Sequence, residues 1–130
     1  LLRHGGQGSP AYSIGYNLSE LFQHAWIVVA PFLGALGAFF SGSTTVSNLT
    51  FGAVQQTAAQ NLGVSVTSML AVQAIGAASG NMVCLNNIIA GKAVVGRGEQ
   101  PEADYIALTY RPMIVFSVIT AAVGSVLLYS

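Results

Sequence analysis

Apolar residues gather along this chain in four stretches, at 21–40, 46–61, 64–95 and 112–129, and each departs from a plain greasy run in its own way. Positions 21–40 number twenty, enough to cross the roughly 30 Å of bilayer hydrocarbon. Pro31 sits in the middle and removes a backbone hydrogen bond, so a break is expected near Ala30. Beyond it, 32–40 makes only about 14 Å of helix. That is too short to cross, and the chain is expected to turn back at 41–45. The return arm, 46–61, sets Leu49, Phe51, Val54 and Ala58 among Gln55, Gln56, Thr57 and Gln60. Lipid penalises side-chain amides, which places that face against protein or a water-filled cavity. Together 26–61 reads as a re-entrant helical hairpin.

After a turn at 61–63, positions 64–80 form a small-residue helix carrying Gly76-Ala-Ala-Ser-Gly80 and Ala74 with Ala78. Small residues four apart let helices approach closely in lipid, which accounts for Gly76. The pattern falters at Gly80-Asn81 and resumes at 83–95, so 64–95 reads as one discontinuous spanning helix broken near 80–84. Residues 1–17 are rich in Gly, Ser and Tyr and read as a loop, with Asn17 or Ser19 capping the first helix and Glu20 in its first turn. Positions 96–110 hold Arg97, Glu99, Pro101, Glu102 and Asp104 and read as a solvated loop. Pro112 then opens the last helix, 112–129, with Tyr129 suited to a membrane interface. No internal repeat is visible. The expected fold class is all-α: polytopic membrane helices with a re-entrant helical hairpin and a discontinuous transmembrane helix, the C-terminal part of a single transmembrane domain.

Charge sharpens the picture. Between Glu20 and Lys92 no Asp, Glu, Lys or Arg occurs over 71 residues. The chain has 130 residues, 53% hydrophobic and 6% charged, against about 25% charged in an average soluble domain. Lipid is the solvent this composition asks for. Zero net charge speaks against nucleic-acid binding and against a polybasic membrane patch. The lone cysteine, Cys84, forms no intrachain disulfide and reads as a small packing residue. The chain opens without Met and closes just past an apolar run, as expected of a C-terminal piece of a longer membrane protein. Three of the four basic residues (Lys92, Arg97, Arg111) flank the 96–110 loop and weakly favour its cytoplasmic placement.

Two polar, neutral, glycine-bearing islands interrupt the uncharged run: Ser41-Gly-Ser-Thr-Thr-Val-Ser-Asn48 and Ser79-Gly-Asn-Met-Val-Cys-Leu-Asn-Asn87. A hairpin tip within the membrane exposes helix-end N–H groups and the positive end of a helix dipole, a seat for a carboxylate. Gly42, Ser43, Thr44, Thr45, Ser47 and Asn48 supply backbone, hydroxyl and amide donors there. In isolation the same residues make an ordinary capped turn. Their place in a charge-free stretch, with a second island downstream, favours a site. In the second island Gly80 permits a backbone break, and Asn81 and Asn86 complete hydrogen bonds left open by it. Asn86 and Asn87 point in different directions, so at most one faces a given site, and both also suit interhelical bonding. His24 is the readily titratable group inside the uncharged run and the proton-coupling candidate, although an interfacial histidine beside Trp26 has the same signature. Lys92 reads as a snorkelling cation. No GxSxG, HExxH, CxxC, phosphate-loop or Rossmann glycine motif occurs, so no enzyme is indicated and no cofactor or metal is called for.

The segments Pro31-Phe-Leu-Gly-Ala-Leu-Gly-Ala-Phe-Phe-Ser-Gly-Ser-Thr-Thr-Val-Ser-Asn48 and Gly80-Asn-Met-Val-Cys-Leu-Asn-Asn87 together closely resemble the C-terminal end of the bacterial L-lactate permease family, over about 25–98. The resemblance implies a secondary transporter of lactate and related 2-hydroxy monocarboxylates such as glycolate. It implies proton symport, several membrane spans and a bacterial inner-membrane location. The partners would be the monocarboxylate, a coupling proton, lipid and the remaining N-terminal part of the same transporter. The broader group of ion transporters to which that family is assigned implies paired hairpin tips holding the substrate carboxylate, here Gly42 to Thr45 with Ser47 and Asn48, and Asn81 at the broken helix. This chain departs from some members in having Thr44 in place of Asn, and from many in having Asn86 in place of His. Two rival expectations are a sodium-coupled carrier of dicarboxylates and a non-transporting membrane subunit.

Overall fold

The computed structural model describes residues 8–129. Within them all regular structure is helical: α1 (Pro10–Phe22), α2 (Trp26–Ser41), α3 (Thr44–Leu62), α4 (Val66–Gly80), α5 (Leu85–Val94) and α6 (Glu102–Tyr129). Single 3₁₀ turns at Gln23–Ala25 and Asn81–Val83 join α1 to α2 and lead from α4 toward α5.

Helix starts follow capping chemistry. Ser9 caps α1 by accepting from the Tyr12 N–H, with Pro10 in the first turn where its missing N–H costs nothing. The expected loop over 1–17 is therefore corrected from Pro10 onward, and its first seven residues lie outside the described part. Neither Asn17 nor Ser19 is a cap. Both sit inside α1, and Glu20 falls in its last turn. Ser43 and Ser65 cap α3 and α4 in the same manner.

The break expected near Ala30 is also corrected. The chain bends instead at Gln23, whose φ is 44°, and α2 runs unbroken through Pro31. An interior proline costs a helix roughly 3 kcal/mol. Packing offsets that cost: Pro31 is buried, and a Cβ on Gly76 would lie 2.0 Å from its carbonyl oxygen. The α2–α4 contact continues with Gly34 against the Gln73 carbonyl and Gly80 against Ala35, so the two helices run parallel with backbones touching. Gly80 has ordinary right-handed helical angles (φ −63°). Its lack of a side chain serves this approach, not the break. α3 runs antiparallel to both helices, tied to α2 through Ser47–Gly34 and Trp26–Gln55.

An apolar core around Trp26, Ile27, Val54 and Met69 is interleaved with buried polar side chains, and large aliphatic residues cover the outside. Ser19, Ser47, Gln55, Gln73, Ser117 and Thr120 are buried, while Leu21, Phe40, Leu49, Leu108 and Val126 face outward. On α6 the inward stripe is Ser117, Thr120, Ala121 and Gly124, and a Cβ on Gly124 would meet Val72 at 2.7 Å. Two segments, Val66–Val83 and Glu102–Leu128, are long and apolar enough to cross a membrane. Small and polar inward with aliphatic outward is what lipid selects.

The loop expected over 96–110 shrinks to 95–101, because α6 starts at Glu102. Glu102 and Asp104 in its first turn favour the positive helix end. Pro112 consequently lies inside α6 and not at its start. Lys92 does not snorkel. Its side chain is 4% exposed, and its ammonium pairs with the Glu102 carboxylate at 2.5 Å and donates to the Gln100 carbonyl. This clasp fastens the end of α5 to the start of α6.

Candidate functional site

The first island becomes the connection between α2 and α3. Gly42 adopts the left-handed conformation (φ 70°) and its N–H returns to the Ala38 carbonyl at 2.8 Å, ending α2. Ser41 Oγ donates to the Gly37 carbonyl at 2.7 Å and accepts from the Ser43 N–H at 3.2 Å. Ser43 Oγ accepts from the Val46 N–H at 3.3 Å. With that N–H satisfied, helix geometry leaves the N–H groups of Thr44 and Thr45 without intrahelical partners. Thr44 is half-buried and Thr45 exposed.

The second island supplies a second helix start. After the 3₁₀ turn Cys84 is extended (φ −65°, ψ 125°) and stands at the cap position of α5, where its side chain makes no capping bond. The N–H groups of Leu85, Asn86 and Asn87 are thus open as well. The two starts meet: a Cβ built on Gly42 would lie 3.2 Å from Cys84 Sγ and 3.5 Å from Asn86 Nδ2. The starts of α3 and α5 and one carboxamide therefore lie close together at Gly42, which also ends α2, with no fixed charge among them.

The remaining sequence-selected residues divide. Asn81 is engaged locally, its Oδ1 accepting from Asn87 Nδ2 at 3.1 Å. Asn86 and Asn87 accordingly serve different surroundings. Ser47 points inward, donating to the Gly34 carbonyl at 2.8 Å. Asn48 has a buried Oδ1 with no partner among the described residues, and it lines a cleft of about 330 Å³ with Gly52, Gln56 and Gln73. Gly80 packs against α2. The His24 side chain, like that of Tyr129, lies outside the described part. A cleft of about 540 Å³ between α2 and α6 is lined almost wholly by apolar side chains, among them Val29, Phe32, Leu36, Phe39 and Met113, with Tyr110 at its wall.

Sequence reading passed over a buried polar chain behind the tip. Trp26 Nε1 donates to Gln55 Oε1 at 2.9 Å, Gln55 Nε2 to Gln73 Oε1 at 2.9 Å, and Gln73 Nε2 to Ser47 Oγ at 3.4 Å. Gln55 was flagged as an amide needing shelter, and it finds it here, fully buried. Gln73 carried no flag. A lone glutamine in an apolar helix was the signal available.

Comparison with known proteins now bears on this geometry. Residues 4–129 match the L-lactate permease family. A Haemophilus influenzae protein, provisionally named an L-lactate permease, is 46% identical over 128 residues, which is 98% of this chain and 24% of that protein. The L-lactate permease of Escherichia coli strain K12 is 36% identical over 106 residues, 82% of this chain and 19% of the relative. The glycolate permease of that strain is 35% identical over 88 residues, 68% and 16% respectively. No solved structure matches the chain. The chain spans a quarter or less of the length of these relatives. It belongs to the L-lactate permease family, a family of membrane transport proteins and not of enzymes.

Proposed function

We propose that this member of the L-lactate permease family forms part of a secondary active transporter for L-lactate and related 2-hydroxy monocarboxylates such as glycolate, working by proton symport in the bacterial inner membrane. The observation that carries the reading is the meeting of two helix starts at Gly42, Cys84 and Asn86. α2 and α3 act as a re-entrant hairpin, and α4 with α5 as a discontinuous spanning helix. The substrate carboxylate sits among the open N–H groups of Thr44, Thr45, Leu85 and Asn86, with the Ser43 turn and the Asn86 amide beside it. Neutral dipoles hold the anion firmly enough to select it and weakly enough to release it on the other side.

His24 is the proton-coupling group in this scheme. It lies in the 3₁₀ turn that starts α2, at the opposite end of that helix from the tip. Movement of the hairpin against α4–α5 would open and close the seat. The test is uptake of labelled L-lactate by the full-length protein in liposomes. Uptake that collapses with a proton ionophore, and that falls at least tenfold with Gly42→Val or Asn86→Leu, supports the reading. Uptake indifferent to both substitutions removes the seat, and uptake indifferent to the ionophore removes the proton.

A further inference from the structure

The buried chain behind the tip has a direction. It starts at an indole N–H, which only donates, and ends at the Gly34 carbonyl, which only accepts. Between those ends each member donates forward: Trp26 to Gln55, Gln55 to Gln73, Gln73 to Ser47, Ser47 to Gly34. Fixed ends leave one orientation for both carboxamides. All four side chains are at most 1% exposed. The members come from α2, α3 and α4, so the chain pins the three close-packed helices to one another. It reaches the first turn of α3 at Ser47, four residues from the Ser43 cap.

Ser47 is fully engaged. Its proton is on Gly34, and Gln73 donates to its oxygen. A Cβ on Gly37 would lie 2.4 Å from that oxygen, so glycine at 37 is what admits the hydroxyl to this inward position. We propose that Gln73 is a positioning residue of the carboxylate seat, acting through Ser47 to fix the first turn of α3, and that Ser47 is a strut and not a substrate ligand. This inference rests on the proposed carboxylate site for its functional half. The link from Gln73 to Ser47 is the longest of the chain, at 3.4 Å, and is the one that yields first when the tip moves.

Gln73→Met in the full-length protein is the clean test. The exchange conserves volume, Gln55 Nε2 keeps the Ala30 carbonyl at 3.3 Å and Ser47 keeps Gly34, but the Gln55 N–H that Gln73 Oε1 accepted is left without a partner, a cost the triple variant below avoids. Amide hydrogen exchange over 44–48 is expected to rise about tenfold while exchange in α1 and α6 stays level. The KM for L-lactate is expected to rise five- to tenfold with Vmax unchanged, an effect of about one lost hydrogen bond. Unchanged exchange at 44–48 overturns the proposal, and so does a loss of Vmax with KM intact, which marks a merely structural residue. Should Gln73→Met fail to insert, the triple variant Trp26→Phe, Gln55→Met, Gln73→Met removes the whole chain without leaving an orphan and is read by the same outcomes. If the wild type transports no lactate, the functional reading fails, and hydrogen exchange alone still decides the role of Gln73.

Discussion

The two polar islands are both neutral and glycine-bearing, one rich in Ser and Thr and the other in Asn, and the fold uses their side chains differently. In Ser41–Asn48 the serines are occupied: Ser41 closes the end of α2, Ser43 caps α3, and Ser47 braces the hairpin against Gly34 and Gln73. In the second island Ser79 bonds back to the Ile75 carbonyl, Asn81 is held by Asn87, and the helix start at Cys84 is left uncapped. The helix start of the first island carries a side-chain cap, and that of the second does not. Polar residues in an apolar stretch therefore do not mark a binding group by themselves. What marks it is a hydrogen-bonding capacity that the fold leaves unspent.

The largest effect that breaks this comparison falls on Gly80, which belongs to the second island by sequence and to the packed core by structure. A Cβ there would lie 2.1 Å from the Ala35 carbonyl oxygen, a backbone atom that cannot swing aside. Gly80→Ala is expected to push α4 off α2 and to destabilise by about 3 kcal/mol, the upper part of the overpacking range. Thermal unfolding in detergent checks this. Retention of the wild-type melting temperature would mean that the two backbones are not in contact.

Gly42→Ala comes next, on the first island. A residue with a Cβ resists the left-handed conformation by roughly 1 kcal/mol. The new methyl would also press on Cys84 Sγ at 3.2 Å. A total near 2 kcal/mol is expected, and lactate uptake should fall further than stability does, because the methyl enters the seat itself. Ser43→Ala is milder, about 1 kcal/mol for a lost cap. It is expected to leave KM almost unchanged, since the Ser43 hydroxyl is spent on Val46. A large rise in KM for Ser43→Ala would show that this hydroxyl is a ligand after all.

The same contrast explains which parts of the molecule could be read in advance. The hairpin turn was legible because a glycine followed by Ser and Thr after an apolar run is a local signal, written in adjacent residues. The interruption after Gly80 was legible in the same way, although for a reason the fold does not use. Pro31, expected to break a helix, and Pro112, expected to start one, misled because both rules are local, whereas both residues lie within helices of the assembled bundle. Pro31 shows why: it is held by contact with Gly76, forty-five positions away. Gln23, the real bend, has no turn signature at all. Gln73 was silent because its partners, Gln55 and Ser47, both arrive from another helix, α3. Of the place where the two islands meet, Gly42 and Asn86 stand out in the sequence as polar-island residues, whereas the closeness of Cys84 to Gly42 does not. Backbone N–H groups left open at Cys84 have no letter in the sequence.

The smallest effect is the sharpest, because it carries two signs. Cys84 is extended, buried and in the cap position of α5, and it offers no capping bond. Cys84→Ser is nearly isosteric and replaces a weak acceptor by a good one. The serine Oγ can accept from an N–H of the α5 first turn, as Ser43 Oγ accepts from Val46. Stability is then expected to rise by about 0.5 kcal/mol, a modest cap within a buried site. The same bond takes a donor from the carboxylate, so the KM for lactate should rise severalfold. A more stable protein that binds substrate less well is the signature of a cap added where a ligand used to complete the helix. If stability and affinity rose together, the open N–H groups of α5 would have no part in holding the anion, and the seat would belong to α3 alone.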